Sequence, residues 1–554
     1  MKHLKLLASL VAAAALLAAC NTAPAEKVTR IVLSDSGITV DAKTAVTDQT
    51  AAVYTGNDII YYESGKDFLY GEGTEEDAHT PEEAAKHTVL HITKPGTYSI
   101  SGKLSLGQIA VDLGSNAKED PKAVVKLILD GVDITCKVAP AVIFYNVYEC
   151  GSKDTKTAVS NVDTTAAGAN VVIADGTVNN ISGAYVAKIY KPESLVLNGD
   201  NTEVVESKKL HKYDGAFYSK MSMNVDGGKE GTGVLNIQAE NEGLDSELHL
   251  TINGGNINIL SGNDGINTNE DYVSVTTVNG GNLAIRVNGQ TGEGDGIDSN
   301  GWLVINGGTV VAQACSNSAD AGIDSDKGII LRGGTVLATG NMLDRIENAG
   351  QNYAVFTFAQ KQNGGQAVAL KDQSGKAIFQ VTPENAYSIL AYSSPDLKTG
   401  TYTLWSGEKQ LAGQAGNAGN FGQKPGGARP GRPEGNRPAG AGMTPPEGNR
   451  PAGEGMTPPG GNRPAGEGMT PPEGWKGPQG FQRPEGERGN ADDAKPEGGK
   501  GTTMDGVSGA TPPQGNAEQP VKPPSTESQT RELSPDFQIK EGGNMFSGIT
   551  LMNE

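Results

Sequence analysis

The chain has 554 residues and a formal net charge of −20, with 76 glycines, 29 prolines and only 5% aromatic residues. This charge excludes nucleic acids and anionic membrane surfaces as partners, because their phosphate groups would be repelled. The length predicts several units, and the composition indicates that much of the chain is solenoid or unstructured.

The first 20 residues are typical of an export signal. Lys2 and Lys5 precede a short apolar run, and residues 17–20 end in two alanines and Cys20. This ending is similar to that of bacterial lipoprotein signals, which predicts that Cys20 is lipidated, and the run is too short to span a bilayer. The alternative is an ordinary secretory signal that contains a cysteine. We therefore predict an exported protein, anchored through Cys20 to the lipid bilayer of the cell membrane, at the cell surface or on the periplasmic face.

Looser repeats follow the signal. Residues 21–88 are polar and predict a tether followed by an N-terminal cap. From Val89 onwards, short apolar strands alternate with Asp-Gly or Pro-Gly turns. Residues 151–169 interrupt this pattern and predict an external loop.

Residues 242–340 contain one unit four times. Each copy has an acidic turn (EGLDS, DGINT, DGIDS or AGIDS), an apolar strand, a glycine turn (NGG or RGG) and a second strand. The glycine turns recur in steps of 26, 27 and 26 residues, and a period of this size indicates a solenoid. The strands alternate with a period of two, so we predict that residues 89–345 form an all-β, parallel β-helix. Equivalent residues of successive copies would then form columns spaced by about 4.8 Å.

Stacking would bring the acidic turns of successive copies together. The candidate metal ligands are the acidic and amide residues of these turns: Glu242, Asp245, Asp264, Asn267, Asp295, Asp298, Asp320, Asp324 and Asp326. Two adjacent carboxylates repel by about 4 kcal/mol at an effective dielectric constant near 20, and a bound cation would remove that cost. Residues 240–330 hold 13 acidic residues and two basic ones, so protein counter-charge is scarce there. Oxygen ligands favour calcium over zinc, and the alternative is that these residues only cap their own turns.

The chain after the repeats changes character. Residues 350–411 contain hairpin-like strands and predict a β unit that caps the last repeat. Residues 412–530 are dominated by Gly, Pro, Asn, Arg and Glu, repeat every 13 residues from Asn436, and are predicted to be disordered. Residues 534–549 are strand-like again, so we predict that they return to the β unit and that the disordered region is an insertion.

Three cysteines follow Cys20, at positions 136, 150 and 315. Export permits a disulfide, and Cys136–Cys150 is the short-loop choice, but burial of these residues in apolar columns explains them equally well. Zinc is not expected, because the CxxC pattern does not occur.

The serial order of several motifs resembles a bacterial carbohydrate-binding β-helix family. The motifs are GTYSISGKLSLGQIAVD, VKLILDGVDIT, IADGTVNNIS and the DGI(D/N)S…INGG copies. The resemblance implies a right-handed parallel β-helix with calcium at acidic turns such as Asp245, Asp295, Asp298 and Asp324. It also implies binding of a plant cell-wall polysaccharide that is cellulose-like or pectin-like. Asn267 and Ala321 depart from the acidic pattern, which puts full calcium occupancy in question.

Three functions remain open from the sequence. The first is calcium-dependent polysaccharide binding, with aromatic residues that could stack on sugar rings: Trp302, Tyr272, Tyr213 and Tyr218. The second is a calcium-dependent polysaccharide lyase, which needs a basic residue within hydrogen-bond reach of the proton that it removes. The third is a calcium-stabilised surface or adhesion protein. Acidity without an evident base favours binding over catalysis.

Overall fold

The computed structural model describes residues 27–416 and 533–552. The predictions for the export signal, for Cys20 and for most of the Gly/Pro-rich region lie outside these residues. The described chain is nearly all β. Within it, the one α-helix is the single turn Pro81–Ala84, which Thr80 and Glu83 cap reciprocally, and Ala117–Glu119 and Pro192–Ser194 are short 3-10 turns.

Most strands belong to three ladders of parallel strands. The first ladder contains, in order of pairing, Val28–Leu33, Gly96–Leu104, Val125–Cys136, Ala169–Ile173, Met223–Asp226, His249–Ile252, Val275–Val278, Trp302–Ile305, Gly328–Leu331 and Ile346–Glu347. It therefore begins at Val28, well before the start that the sequence pattern indicated. The short strand Thr39–Val40 pairs antiparallel with the first strand of this ladder, and Lys43–Thr44 pairs antiparallel with Thr39–Val40.

The other two ladders run beside the first. The second contains the later parts of Gly96–Leu104 and Val125–Cys136, then Val178–Gly183, Val234–Ala239, Asn256–Ser261, Asn282–Val287, Thr309–Gln313 and Thr335–Gly340. The third contains Thr88–Ile92, Gly107–Asp112, Val142–Asn146, Gly215–Ser219, Glu242–Ser246, Ile266–Thr268 and Ile297–Ser299. The strand Val53–Gly56 pairs antiparallel with Thr88–Ile92 at the start of the third ladder.

Inward side chains of the ladders form apolar columns. Ile252, Val278, Ile305 and Leu331 are register partners in successive strands, and each is at most 2% exposed. These columns belong to one continuous core that extends from the first strand to the last copies. Strands of the second ladder such as Val234–Ala239 and Asn256–Ser261 bury every second side chain, which is why their sequence alternates with a period of two.

The second glycine of each glycine turn adopts a backbone that other residues rarely adopt. Gly255, Gly281, Gly308 and Gly334 have φ values of 96°, 83°, 80° and 74°. A Cβ on Gly281 would also lie 2.5 Å from the carbonyl oxygen of Gly255 in the copy before it. The turns stack too closely for a side chain, which explains the repeated Gly-Gly pair.

Two further segments pack on the outside of the ladders. A hairpin of Val186–Tyr190 and Lys209–Tyr213 lies beside the third ladder, and Val196–Leu197 pairs with Val204–Glu206 at its tip. Residues 147–168 connect Val142–Asn146 to Ala169–Ile173 without a strand, as the predicted external loop would. We refer to these two segments as the hairpin and the outer loop.

The C-terminal unit is mostly antiparallel. Its strands are Tyr353–Gln362, Val368–Asp372, Ala377–Val381, Tyr387–Ser393, Gly400–Ser406, Lys409–Ala415, Asp536–Ile539 and Gly543–Leu551. Tyr387–Ser393 pairs antiparallel with Thr335–Gly340 and so covers the open edge of the second ladder. Asp536–Ile539 pairs with Gly400–Ser406, and Gly543–Leu551 lies between Tyr353–Gln362 and Lys409–Ala415. Val311 and Leu337, on the outer face of the second ladder, share this unit's own apolar core.

Candidate metal centres in the acidic turns

The first acidic cluster consists of Asp214, Glu242 and Asp245. One carboxylate oxygen from each lies within 4.8 Å of the other two, and all three residues are buried. Glu242 and Asp245 belong to the third-ladder strand Glu242–Ser246, whereas Asp214 directly follows the hairpin strand Lys209–Tyr213. The cluster therefore forms where the hairpin packs against the third ladder.

A lysine of the hairpin reaches the first cluster. Lys212 Nζ lies 2.7 Å from an Asp214 carboxylate oxygen, and this attraction raises the pKa of Lys212, so its ammonium stays charged. Burial, together with repulsion from nearby carboxylates, raises the pKa values of Glu242 and Asp245 well above the usual range. The sequence-based expectation of scarce counter-charge is thus wrong for this cluster, because the lysine comes from outside residues 240–330.

Side-chain amides donate hydrogen bonds to only some of the carboxylate oxygens of the first cluster. Asn267 Nδ2 donates to Glu242 Oε1 over 3.1 Å, and Asn269 Nδ2 donates to Asp245 Oδ1 over 2.7 Å. Within the described residues, Glu242 Oε2, Asp245 Oδ2 and Asn267 Oδ1 are buried without a hydrogen-bond partner. Buried oxygens without donors are costly, and they are suitable ligands for a hard cation.

The second acidic cluster consists of Asp295, Asp298 and Asp324, again with one oxygen from each within 4.8 Å of the others. Asp264 touches this cluster, because its Oδ1 accepts a hydrogen bond of 2.7 Å from the backbone N–H of Asp295. Asp295 Oδ1 in turn accepts a bond of 2.5 Å from the N–H of Ala321. Burial and the charges of Asp324, Asp264 and Asp298 raise the pKa of Asp295 well above its usual range.

The nine candidate ligands from the sequence are not equivalent in the structure. Glu242 and Asp245 join the first cluster, Asp295, Asp298 and Asp324 form the second, and Asp264 and Asn267 lie in the copy between them. Asp320 lies one residue before the position that is equivalent to Asp264 and Asp295. Ala321 occupies that position, because the backbone oxygens of Asp264, Asp295 and Ala321 accept equivalent hydrogen bonds from the N–H groups of Gly243, Gly265 and Gly296. Asp326 is exposed and belongs to neither cluster.

Sequence reasoning missed Asp214 and Lys212. A signal for Asp214 existed, because DGAFYS at residues 214–219 is a weaker copy of the acidic turn. That copy is one residue longer than EGLDS: its Gly215 pairs with Glu242, and Asp214 lies one position earlier. Lys212 carried no such signal, because its contact depends on how the hairpin packs.

The aromatic residues suggested for sugar stacking divide into two pairs. Tyr213 and Tyr218 are 3% and 1% exposed and pack against each other edge to face, so they have structural roles and are not available to stack on a sugar ring. Tyr218 also donates a 2.5 Å hydrogen bond to Glu247 Oε1. Trp302 and Tyr272 are partly exposed, and the Lys327 ammonium lies 4.6 Å from the centre of a Trp302 ring.

Cys136, Cys150 and Cys315 are free thiols. Cys136 and Cys150 therefore do not form a disulfide. Cys136 and Cys315 are buried. Burial raises the pKa of Cys136 to about 12 and that of Cys150 to about 11, which makes both poor nucleophiles. Cys20 lies outside the described residues.

No helix in the described part of the chain has the length and apolar character that crossing a membrane requires.

The stacked ladders and acidic turns define a class of elongated β protein whose turns carry clustered carboxylates that are able to bind a metal ion. Residues 86–354, just under half of the chain, match the model of a family described as carbohydrate-binding domain-containing protein, and this match supports carbohydrate binding by that part. A search of solved structures gives a polysaccharide lyase-like protein from C. thermocellum, in a gadolinium derivative, with 19% identity. That match covers 56% of this chain and 94% of the other, but its TM-score of 0.31 is too low to support an argument. No curated protein matches the chain.

Proposed function

We propose that this chain is a calcium-stabilised, right-handed parallel β-helix that binds cell-wall polysaccharide of the cellulose or pectin type. The three parallel ladders support the β-helical assignment, and the family match over residues 86–354 supports a carbohydrate ligand. The lipoprotein-like first 20 residues support export and attachment to the bilayer through Cys20.

The observation on which the calcium proposal depends is the second acidic cluster. Three nearby carboxylates oppose the ionisation of Asp295, and a divalent cation would relieve that repulsion. The donor set contains only oxygen, which suits a hard cation such as calcium. In the first cluster, the Lys212 ammonium already supplies one positive charge. We therefore assign the principal calcium site to the second cluster.

Burial favours a structural role for the ion. Asp295 and Asp324 are 9% and 3% exposed, so a polymer outside the fold would have little access to an ion between these turns. Such an ion would link Asp295 and Asp298 of one copy to Asp324 of the next and hold the copies in register. Polysaccharide binding would then depend on calcium through the integrity of the stack.

Thermal unfolding with and without a chelator tests the calcium proposal. An ion that binds only the folded state at 100 times its Kd stabilises that state by about 2.7 kcal/mol. We expect calcium to raise Tm by several degrees over the chelated protein. Equal Tm values in calcium and in chelator would rule calcium out.

Retention on insoluble polysaccharide tests the binding proposal. The full chain would be incubated separately with cellulose and with calcium-gelled polygalacturonate, at a temperature below the Tm of the protein. The bound fraction would be measured after sedimentation. We expect retention on at least one of them. Failure to bind either polymer would remove polysaccharide binding and leave the calcium-stabilised surface or adhesion protein as the alternative.

The lyase alternative requires a basic group beside the metal that can accept a proton. At the first cluster, the available cation is Lys212, and its pKa is raised by Asp214, which keeps it protonated and makes it a poor base. Incubation with polygalacturonate and calcium, followed by ultraviolet absorbance, would detect the unsaturated products that a lyase releases. We expect none.

A further inference from the structure

A polar groove of about 320 Å³ lies on the outer face of the first ladder, away from both acidic clusters. One side is residues 160–165 of the outer loop. The floor and the other side come from outward-facing residues of successive strands: Asn224, Thr251, Thr277 and Val304, and next to them Asn253, Asn279 and Asn306. A volume in this range is typical of sites for small ligands or short pieces of polymer.

The outer loop is fixed above the ladder by a buried set of hydrogen bonds. Thr164 Oγ1 lies 2.7 Å from Asn224 Oδ1 and 2.7 Å from Thr251 Oγ1. Asn224 Nδ2 donates over 2.7 Å to the backbone oxygen of Thr164. Thr164, Asn224 and Thr251 are 4%, 5% and 6% exposed. The loop side of the groove is therefore held in position before any ligand arrives.

The opposite side of the groove is a column of three asparagine amides. Asn279 Nδ2 donates to Asn253 Oδ1 over 2.8 Å, and Asn306 Nδ2 donates to Asn279 Oδ1 over 2.9 Å. Each amide has two N–H donors and two acceptor sites, so the column leaves hydrogen-bonding capacity for a ligand. The three side chains are exposed yet fixed by one another, which lowers the entropy cost of binding.

The groove is almost uncharged. Among the described residues that line it, Asp163 alone carries a charge; Arg332 Nη1 donates to Asn306 Oδ1 over 3.4 Å at the end of the amide column, and the whole chain has a net charge of −20. A polyanion such as a uronate chain would be repelled, whereas a neutral polyhydroxylated chain would meet amide and hydroxyl groups. The amides repeat about every 4.8 Å along the stack, close to the advance per sugar of an extended β-1,4-linked chain.

From these observations, and relying on the proposed polysaccharide binding, we infer that this groove holds one extended strand of a neutral β-1,4-linked glucan. The strand lies along the stack, with successive sugars facing the amides of Asn253, Asn279 and Asn306. All the residues that line the groove fall within the part of the chain that matches the carbohydrate-binding family. The ligand contacts neither acidic cluster.

An asparagine column by itself does not define a binding site, since stacked amides also stabilise parallel strands. The chain offers a matched column for comparison on the second ladder. There Asn236 Nδ2 donates to Asn180 Oδ1 over 2.9 Å, and Asn258 Nδ2 donates to Asn236 Oδ1 over 2.9 Å. Asn279→Ala and Asn236→Ala each remove the central amide of a three-residue column, so their structural effects should be similar.

The test measures binding of cellohexaose to the full chain in calcium, by isothermal titration calorimetry. We expect Asn279→Ala to weaken binding about five- to tenfold, the size of effect that one lost ligand hydrogen bond produces. Asn236→Ala should bind like the wild type while losing a similar amount of Tm. The same β-1,4 chain oxidised to a uronate at C6 should bind more weakly than cellohexaose.

The possible outcomes distinguish a failure of the groove assignment from a failure of the proposed polysaccharide binding. If the wild type binds no polysaccharide at all, the proposed function fails and the groove assignment fails with it. If the wild type binds cellohexaose but Asn279→Ala and Asn236→Ala bind it equally well, the groove assignment is overturned and polysaccharide binding stands. Tighter binding of the oxidised chain would overturn the assignment of a neutral ligand.

Discussion

At the scale of single residues, the surroundings of Glu242, Asp245 and Asp295 disfavour the ionised form of each carboxylate. Burial raises the pKa of each above its unfolded value, and neighbouring carboxylates raise it further. A raised folded pKa contributes stability that is present below the unfolded pKa and is lost as pH rises through the folded pKa. Without a cation, these groups should therefore lower the stability of the fold near neutral pH.

Removal of one such charge should stabilise the metal-free protein. Asp295→Asn keeps an oxygen that can accept the N–H of Ala321 but removes repulsion with Asp298 and Asp324. In chelator at pH 7 we expect a Tm above that of the wild type, and a smaller rise on addition of calcium. Differential scanning calorimetry at both conditions measures this.

Asp326→Asn is the matched control for Asp295→Asn. Asp326 is exposed and lies outside both clusters, so its calcium-dependent rise in Tm should equal that of the wild type. A full calcium effect in Asp295→Asn would contradict the assignment of the principal site to the second cluster.

His249 gives a pH dependence of opposite sign. Its imidazole is 4% exposed, its Nδ1 accepts from the backbone N–H of Val275 over 3.1 Å, and burial lowers its pKa to about 4. The neutral ring is therefore favoured, so its stability contribution is present above the unfolded pKa near 6.5 and is lost as pH falls towards 4. His249→Asn removes the titration, and we expect its stability deficit relative to wild type to shrink by about 2–3 kcal/mol between pH 7.5 and 4.5. Urea unfolding at the two pH values measures it, and a constant deficit would contradict the prediction.

At the scale of elements, the outer loop and the hairpin give the regular ladders their distinct surfaces. The outer loop contacts the first ladder through Thr164, and the hairpin brings Lys212 and Asp214 to the third ladder. Neither segment follows the repeat, and each creates a local environment that the repeat alone does not contain. The proposed groove and the first acidic cluster therefore both form where an insertion packs against the repeated strands.

The anchoring of the outer loop can be tested independently of the asparagine column. Thr164→Val removes the hydroxyl that contacts Asn224 and Thr251 but keeps the shape of the side chain. We expect the loop to shift and cellohexaose binding to weaken by about tenfold, with Tm lowered by a few degrees. Calorimetric titration and thermal unfolding give the two quantities.

Thr157→Val is the control for the loop variant. Thr157 belongs to the same loop but does not line the groove; it is exposed, and its hydroxyl donates to the backbone oxygen of Asp154. Its substitution should leave both Tm and glucan binding near wild type. If Thr164→Val also binds glucan as the wild type does, the loop does not form a wall of the site.

At the scale of the whole molecule, the C-terminal unit is completed by residues distant in sequence. Phe537, Phe546 and Ile549 are at most 4% exposed and pack in the core of this unit. The two described segments meet where Gly413 and Ser534 pair as an isolated bridge. The unit also covers the edge strand Thr335–Gly340, which would otherwise be open to pairing with other chains.

Two deletions should therefore have opposite effects. Truncation after Gly416 removes two strands and four side chains of this core, Phe537, Ile539, Phe546 and Ile549, each worth about 2–5 kcal/mol by comparison with large-to-small core substitutions. We expect loss of the folded C-terminal unit and aggregation. Replacement of residues 417–532 by a short Gly-Ser linker should preserve Tm, because the joined ends are adjacent in the structure.

Circular dichroism and light scattering distinguish the two variants. A well-folded, monodisperse truncation would show that the last two strands are dispensable. An unfolded linker variant would show that residues 417–532 are needed for the fold.

The sequence alone determined the repeating architecture, because a local pattern of alternating apolar residues and paired glycines is enough to specify strands and turns. It identified in advance the column from Ile252 to Leu331 and the stacked positions of Asp245, Asn267 and Asp298. These features depend on residues that are close in sequence and on equivalent positions in successive copies, which a single chain displays directly.

Only the tertiary structure decided which of those acidic residues act together. Asp214 and Lys212 reach Glu242 because the hairpin folds back onto the third ladder, and Asp320 misses its column because one residue shifts the register. The groove likewise requires Thr164 to meet Thr251 across 87 positions of sequence. Contacts between segments without a shared period leave no repeated pattern, so they follow only from how the chain packs.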